Sequence, residues 1–205
     1  MIKTMYEPKE VFMSIQIDFI YPNDRPDQCP DLMWDLQLKL DACAQQLFGK
    51  RNPNKALLRP DFVIDGPHVR NTLKLDGGFA ELSLNAAGYW PIAIYELAHE
   101  TIHLLDPRPG HPLGKGASWF EEGLAVNFSL AVSKSIGDQS IKISHSKYKI
   151  ANQLFSRIGG NLFHRAMEIR SKTGHFSDAQ ISDIMAVSPK VPRHIAEKLV
   201  SSFYS

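Results

Sequence analysis

Residues 95–127, YELAHETIHLLDPRPGHPLGKGASWFEEGLAVN, decide the fold of this chain. They contain a helical segment, a loop rich in proline and glycine, and a second helical segment with two adjacent glutamates. The first segment carries the pattern HExxH at residues 99–103, which on a helix is a common arrangement of zinc ligands. The stretch therefore indicates either a metal site carried by two helices or two ordinary amphipathic helices.

The spacing within HExxH suits metal chemistry. A helix turns by about 100° per residue, so His99 and His103 project only about 40° apart, and both imidazoles can reach one ion. Glu100 projects about 60° from His103, where its carboxylate can contact a water molecule at the metal without being a ligand. Zinc lowers the pKa of such a water towards about 7, and a nearby carboxylate can accept its proton. We therefore predict that His99 and His103 are metal ligands and that Glu100 is a general base.

The third ligand distinguishes the possible kinds of site. The longer pattern HExxHxxGxxH fails here because Asp106 and Pro109 stand where glycine and histidine are required. Glu122 instead follows His103 after 18 intervening residues, within WFEEGLA at residues 119–125. Asp106 has three possible roles: to orient a ligand imidazole, to compete with Glu122 as the ligand, or simply to end the helix.

The pattern HExxH-x18-E, whose final glutamate lies within W-x-x-E-G-x-A, resembles the gluzincin zinc metallopeptidases. It is most similar to the catalytic domain of the aminopeptidase N family and more distantly to thermolysin-like enzymes. The resemblance implies one Zn²⁺ ion, Glu122 as the third ligand, and hydrolysis of a peptide or protein substrate. Glu121 falls where that family usually has asparagine; it is a residue behind the ligands, a substrate contact or, the interpretation we favour here, a solvated side chain. We expect Gly123 to let the two helices approach closely.

Residues 147–174, KYKIANQLFSRIGGNLFHRAMEIRSKTG, resemble the helix–turn–helix that follows the metal site in the same family. Tyr148 falls at the position of the tyrosine that donates to the oxyanion, so the resemblance implies this catalytic role for it. His145 is the alternative donor, because the thermolysin-like branch uses histidine. The remaining histidines have no comparable sequence context and are predicted to be surface or core residues: His68, His111, His164, His175 and His194.

Residues 77–88, GGFAELSLNAAG, resemble the edge strand that binds extended substrate in zincins. The aminopeptidase N family has a G-x-M-E-N motif nearby, whose glutamate holds the free amine of the substrate. This chain has GGFAE instead, without the Met-Glu-Asn order. Glu81 is therefore either the amine-binding residue or an exposed residue of the strand.

Hydrophobic periodicity predicts the other elements. Alternating apolar residues at 11–21 predict a strand with one buried face, and helical spacing predicts a helix from Asp31 to just before Gly49. Further strands are predicted within residues 61–65, 69–75 and 79–85, and helices at 91–105, 117–133, 146–158, 161–173, 177–185 and 192–203. This order is α+β. The resemblance implies a single zincin-like domain over residues 1–205, with a small mixed sheet, a helix and the active-site helix in residues 1–105 and a mostly helical lobe in residues 106–205.

Composition narrows the possible partners and the compartment. The formal net charge is +1, from 23 basic and 22 acidic residues, which leaves no electrostatic footprint for nucleic acid or an anionic membrane. No run approaches the roughly 20 apolar residues of a membrane span, and residues 1–26 lack the pattern of a signal peptide. We therefore expect no nucleic-acid or membrane partner and a cytoplasmic location. Cys29 and Cys43 are expected to be reduced thiols.

These observations predict a zinc-dependent metallopeptidase. The alternative is a catalytically silent module that keeps the metal and uses its groove to bind a peptide or protein partner. A purely structural zinc site is disfavoured, because such sites are usually closed by four protein ligands, often cysteines.

Overall fold

The computed structural model describes residues 15–110, 114–137, 141–143 and 145–204. The strands are β1 (Ala56–Leu57), β2 (Asp61–Val63), β3 (His68–Asn71) and β4 (Gly77–Ser83). The helices are α1 (Pro30–Phe48), α2 (Leu84–Gly88), α3 (Trp90–Leu104), α4 (Trp119–Ser135), α5 (Ser146–Ser156), α6 (Leu162–Thr173), α7 (Ile181–Val187) and α8 (Arg193–Val200). The predicted α+β class is confirmed. Within the described ranges, no helix combines the length and apolar character needed to cross a membrane.

Strand β4 lies inside the sheet, so the prediction that residues 77–88 form an edge strand is wrong. Gly78 of β4 pairs with Leu57 of β1 on one side and with Asn71 of β3 on the other. Glu81 of β4 likewise pairs with Asp61 of β2 and with His68 of β3. Its partners β1 and β2 are parallel to it and β3 is antiparallel. Residues 84–88 leave the sheet altogether and form α2, which is capped by the Ser83 hydroxyl. Among the described residues β3 pairs only with β4, which makes β3 an edge of the sheet.

The N-terminal segment was predicted to be a strand over residues 11–21, and residues 11–14 of it lie outside the described ranges. Residues 15–21 form no strand. Their burial still alternates as predicted, because Ile17 and Phe19 enter the core while the residues between them remain exposed. Phe19 packs on Trp90, with ring centroids 5.6 Å apart. An extended chain lying across a core therefore produces the same period of two as a strand, without a backbone partner.

Helix α1 confirms the prediction for residues before Gly49. It starts with Pro30, whose missing N–H is not needed in the first turn. It ends at Phe48 and is followed by Gly49, whose φ of 92° is a conformation that favours glycine. Cys29 and Cys43 are both free thiols, as predicted.

The helix predicted over residues 177–185 is instead a short 3₁₀ turn at Phe176–Asp178 followed by α7.

Gly123 allows a close helix contact, but with α5 rather than α3. A Cβ at this position would lie 2.5 Å from the Phe155 Cβ and 2.6 Å from the Ala151 carbonyl oxygen. Because successive helix positions point about 100° apart, a residue next to Glu122 cannot also face the helix that Glu122 faces. The expected contact between the two metal-site helices through Gly123 is therefore wrong, and the close contact is between α4 and α5.

Candidate metal centre

Three predicted ligands converge between α3 and α4. One ligand atom from each of His99, His103 and Glu122 lies within 4.8 Å of the others. The His99 Nε2 lies 3.1 Å from Glu122 Oε2, and the His103 Nε2 lies 3.7 Å from Glu122 Oε1. His99 and Glu122 are buried, with 6% and 1% of their surfaces exposed. Two imidazoles and one carboxylate, removed from solvent and aimed at one point, can hold a metal ion.

Contacts next to the predicted ligands along the chain hold the two helices in place. The Ser118 hydroxyl accepts a hydrogen bond from the Glu121 N–H and caps α4 immediately before its two glutamates. On α3, Thr101 accepts a hydrogen bond from the Gln37 amide of α1 at 2.9 Å, in a fully buried position. The loop between the helices is anchored where the Asn52 N–H donates to the Leu105 carbonyl. These contacts orient the ligand-bearing faces of α3 and α4 towards each other.

Glu121 is buried against His103, a predicted ligand, so its interpretation as a solvated side chain is wrong. Only 3% of its surface is exposed, and its Oε1 accepts a hydrogen bond from the His103 Nδ1 at 2.9 Å. Its other oxygen accepts a hydrogen bond from the Ser177 hydroxyl. Burial raises the pKa of Glu121, but His175, His103 and Ser177 together lower it to about 2. Glu121 is therefore an anion that holds one nitrogen of His103 and leaves the other facing Glu122.

Glu100 lies beside this group and lines a cavity of about 880 Å³. Only 3% of its surface is exposed. Burial raises the pKa of Glu100 above its ordinary value, although His99 and His103 act in the opposite direction. A carboxylate with a raised pKa in a cavity is suited to accepting a proton and releasing it again.

Two tyrosines face the same cavity, one of them predicted and one missed. The Tyr148 ring packs edge-on against His99, with centroids 5.3 Å apart. The Tyr204 hydroxyl lies 3.4 Å from Glu122 Oε1 and donates to it. Burial, and then the charge of Glu122, raises the pKa of both phenols well above the ordinary value. Both hydroxyls therefore stay protonated at neutral pH and can act as hydrogen-bond donors.

The cavity has one wall from the sheet and one from the proline- and glycine-rich loop. Residues 67–69, at the start of β3, form the first wall, and residues 106–108, 110 and 114–117 form much of the second. The edge strand beside the metal group is therefore β3, in place of the predicted residues 77–88. An unpaired edge at a cleft is a site where an extended peptide can add by backbone hydrogen bonds.

Comparisons of this chain with family models, with curated proteins and with solved structures find no match. The resemblance to gluzincin peptidases therefore depends on the motif spacing. The geometry shows, independently of that spacing, that His99, His103 and Glu122 form a group that could hold a metal ion.

Asp106 lies outside the converging group. Its carboxylate accepts a hydrogen bond from the Asn52 amide at 2.8 Å and lies 3.4 Å from an Arg108 nitrogen. Neither contact involves a ligand imidazole, and the three converging residues do not include Asp106. Of its three possible roles, the geometry favours the simplest, in which Asp106 ends α3 and anchors the following loop.

Glu81 is neither exposed nor part of the cavity wall. It is 6% exposed, and its carboxylate accepts a hydrogen bond from the Arg70 Nε at 2.5 Å. The His68 Nε2 lies 2.7 Å from its other oxygen. A carboxylate engaged in this way is not available to hold the amine of a substrate.

His145 serves as the N-cap of α5, where its Nδ1 accepts a hydrogen bond from the Lys147 N–H at 3.3 Å. Its side chain does not line the cavity. The geometry therefore favours Tyr148 over His145 as a donor into the site.

Two histidines to which the sequence analysis gave no functional role, His68 and His175, line the cavity. His175 is buried, and its Nδ1 lies 3.9 Å from Glu121 and accepts a hydrogen bond from the Ser177 N–H. His68 lies at the sheet edge. Their sequence neighbourhoods carry no signal for this, because long-range packing brings them to the site. His164 and His194 are exposed, as predicted, and His111 lies outside the described residues.

Proposed function

We propose that the protein is a zinc-dependent metallopeptidase of the gluzincin type, with a zincin-like fold, that hydrolyses bonds in a peptide or protein substrate. The observation that carries the proposal is the convergence of His99, His103 and Glu122 beside a cavity that also contains Glu100. Two imidazoles and a carboxylate form a donor set that suits zinc and leaves a fourth position open.

Each residue has a defined task in this proposal. Zinc, when bound, supplies Lewis acidity towards the substrate carbonyl and acidifies a water molecule. Glu100 accepts the proton of the attacking water and returns it to the departing amine, a role favoured by its burial and raised pKa. Tyr148 donates its hydroxyl to the carbonyl oxygen as negative charge develops there.

The substrate is proposed to bind in extended form along β3. Residues 67–69 border the cavity, and the side of β3 opposite to β4 has no strand partner among the described residues. Backbone hydrogen bonds along such an edge bind a peptide irrespective of its sequence. Because Glu81 is engaged by Arg70, its carboxylate is not available to recognise a free amino terminus in the manner of an aminopeptidase.

Metal content and cleavage of a peptide library test the proposal in the wild type, Glu100→Gln and Glu122→Ala. We expect one zinc ion per chain in the wild type, the same content with at least about 100-fold slower cleavage in Glu100→Gln, and loss of zinc in Glu122→Ala. Asp106→Ala is the matched control, because it removes a carboxylate of the cavity wall that lies outside the ligand group.

Two outcomes contradict the proposal. Full zinc binding by Glu122→Ala, with loss in Asp106→Ala, would show that the ligand set is wrong. A wild-type protein that holds zinc and cleaves nothing in a broad library would favour the silent binding module instead.

A further inference from the structure

The segment of residues 201–204 follows α8 and is docked on the start of α4. The Trp119 N–H donates to the Ser201 carbonyl at 3.1 Å, and the Phe203 N–H donates to the Ala117 carbonyl at 2.9 Å. These two bonds flank an antiparallel bridge between Ser118 and Ser202. Ser118 is the residue that caps α4, so the segment is held against the turn that presents the two glutamates.

Aromatic packing adds to this docking. The Phe203 ring is 3% exposed and lies between Trp119, at 4.8 Å, and Tyr148, at 5.3 Å. The Lys147 ammonium lies 4.7 Å from the same ring. Phe203 thus anchors the segment, and the next residue, Tyr204, is placed at the edge of the cavity.

Tyr204 has an arrangement that core packing does not explain. The residue is 65% exposed, whereas its hydroxyl reaches the buried Glu122 and donates to Oε1 at 3.4 Å. The other oxygen of Glu122 lies 3.1 Å from the His99 Nε2. The two oxygens of this carboxylate therefore have different neighbours, one of which comes from 82 residues further along the chain.

We infer that Tyr204 is a positioning residue for the metal ligand Glu122, an inference that rests on the proposed metal centre. A ligating carboxylate that also accepts a hydrogen bond is held in one rotation, and the loss of such a partner typically lowers metal affinity by about 10- to 100-fold. The hydroxyl of Tyr204 provides this partner. The docked segment of residues 201–204 is consequently part of the metal centre.

Tyr204 and Tyr148 have different tasks in this arrangement, although both hydroxyls face the cavity. Tyr204 contacts Glu122, whereas Tyr148 packs on the ring of His99 and is assigned to the substrate oxygen. Removing the Tyr204 hydroxyl is therefore expected to change metal binding first. Removing that of Tyr148 is expected to change turnover at full zinc occupancy.

The test compares Tyr204→Phe, Tyr148→Phe and Tyr89→Phe; the last removes a hydroxyl from a half-exposed tyrosine outside the cavity wall. The zinc dissociation constant is measured by competition with a chromophoric chelator, and the visible spectrum is recorded with Co²⁺ in place of zinc. We expect Tyr204→Phe to weaken zinc binding by about 10-fold or more and to alter the Co²⁺ spectrum. The other two variants should keep both properties of the wild type, and saturating zinc should restore cleavage in Tyr204→Phe but not in Tyr148→Phe.

The possible failures can be told apart. Zinc affinity of Tyr204→Phe within about twofold of the wild type overturns the inference and leaves the metal centre standing. An equal loss of affinity in Tyr148→Phe also overturns it, because the effect would not be specific to the contact with Glu122. Absence of zinc binding by the wild type overturns the metal centre and this inference together. Thermal unfolding of the metal-free variants verifies that each of them is folded.

Discussion

The carboxylate of Glu121 accepts a hydrogen bond at 2.9 Å from the nitrogen of His103 that points away from Glu122. Adjacent glutamates on one helix thus have separate neighbours: Glu122 belongs to the group that could hold a metal ion, and Glu121 holds His103, another member of that group. Their positions about 100° apart on the helix make this division possible. The arrangement matches the carboxylate–histidine–metal relay common around protein-bound metals.

Removal of the Glu121 carboxylate should therefore weaken metal binding without removing a ligand. We expect Glu121→Ala to lower zinc affinity by about 10- to 100-fold, measured by chelator competition. Glu121→Gln should lose less, because its amide oxygen can still accept the hydrogen bond from His103. Glu168→Ala is the control, since Glu168 is exposed on α6. If Glu121→Ala binds zinc as tightly as the wild type, Glu121 does not influence the metal.

The Tyr148 hydroxyl should matter for turnover alone. We expect Tyr148→Phe to lower kcat by about 100- to 1,000-fold, the usual loss when one oxyanion donor is removed, while KM and zinc content change little. Steady-state kinetics on a peptide identified from the library checks this. His145→Ala is the comparison, and a larger loss in His145→Ala than in Tyr148→Phe would reverse the assignment of the donor.

The convergence of His99, His103 and Glu122 was predictable because its geometry is mostly local. HExxH places two imidazoles and a carboxylate on about one helical turn, and Glu122 follows at a spacing that one loop can bridge. The partners of these residues were not predictable in the same way. Ser177 reaches Glu121 from 56 positions away, and Tyr204 reaches Glu122 from 82. No local pattern encodes such contacts, since the packing of α4 against the C-terminal elements creates them.

The elements of the fold show the same limit. Helix positions followed from their periodicity and were nearly correct for α1, α3, α4, α5 and α6. Alternation correctly predicted a strand at β4, but neither it nor the resemblance to the zincin edge strand showed that this strand lies inside the sheet. Nor could alternation distinguish a strand from an extended segment such as residues 15–21. Whether a segment is an edge strand, an interior strand or an unpaired extended segment depends on which other segments pair with it. Those partners come from distant parts of the chain.

The close contact at Gly123 should make this position intolerant of any side chain. We expect Gly123→Ala to lower the free energy of unfolding by about 1–3 kcal/mol, the usual cost of overpacking, because its Cβ would lie 2.5 Å from the Phe155 Cβ. Gly88→Ala is the matched control, as a Cβ there meets no atom within 4 Å. Urea unfolding of metal-free protein measures both variants. Equal stability of Gly123→Ala and the wild type would contradict the packing of α4 on α5.

Glu81 should contribute to the stability of the fold to an extent that depends on pH. It should not influence whether the protein prefers peptides with a free amino terminus. The hydrogen bond from Arg70 lowers the pKa of Glu81 below its ordinary value, although burial acts in the opposite direction. A carboxyl group whose pKa is lower in the folded state stabilises the protein above its unfolded pKa, about 4.3 for glutamate. This stabilisation is lost as the pH falls through the folded pKa.

We therefore expect the wild type to unfold at a higher urea concentration than Glu81→Gln at pH 7, and this difference to vanish as the pH falls below about 4. Glu197→Gln, in an exposed pair with Arg193 on α8, should show little difference at either pH. At pH 7, Glu81→Gln should cleave peptides with free and with acetylated amino termini in the same ratio as the wild type. A selective loss of cleavage for free amino termini would show that Glu81 binds the substrate amine, contrary to its engagement by Arg70.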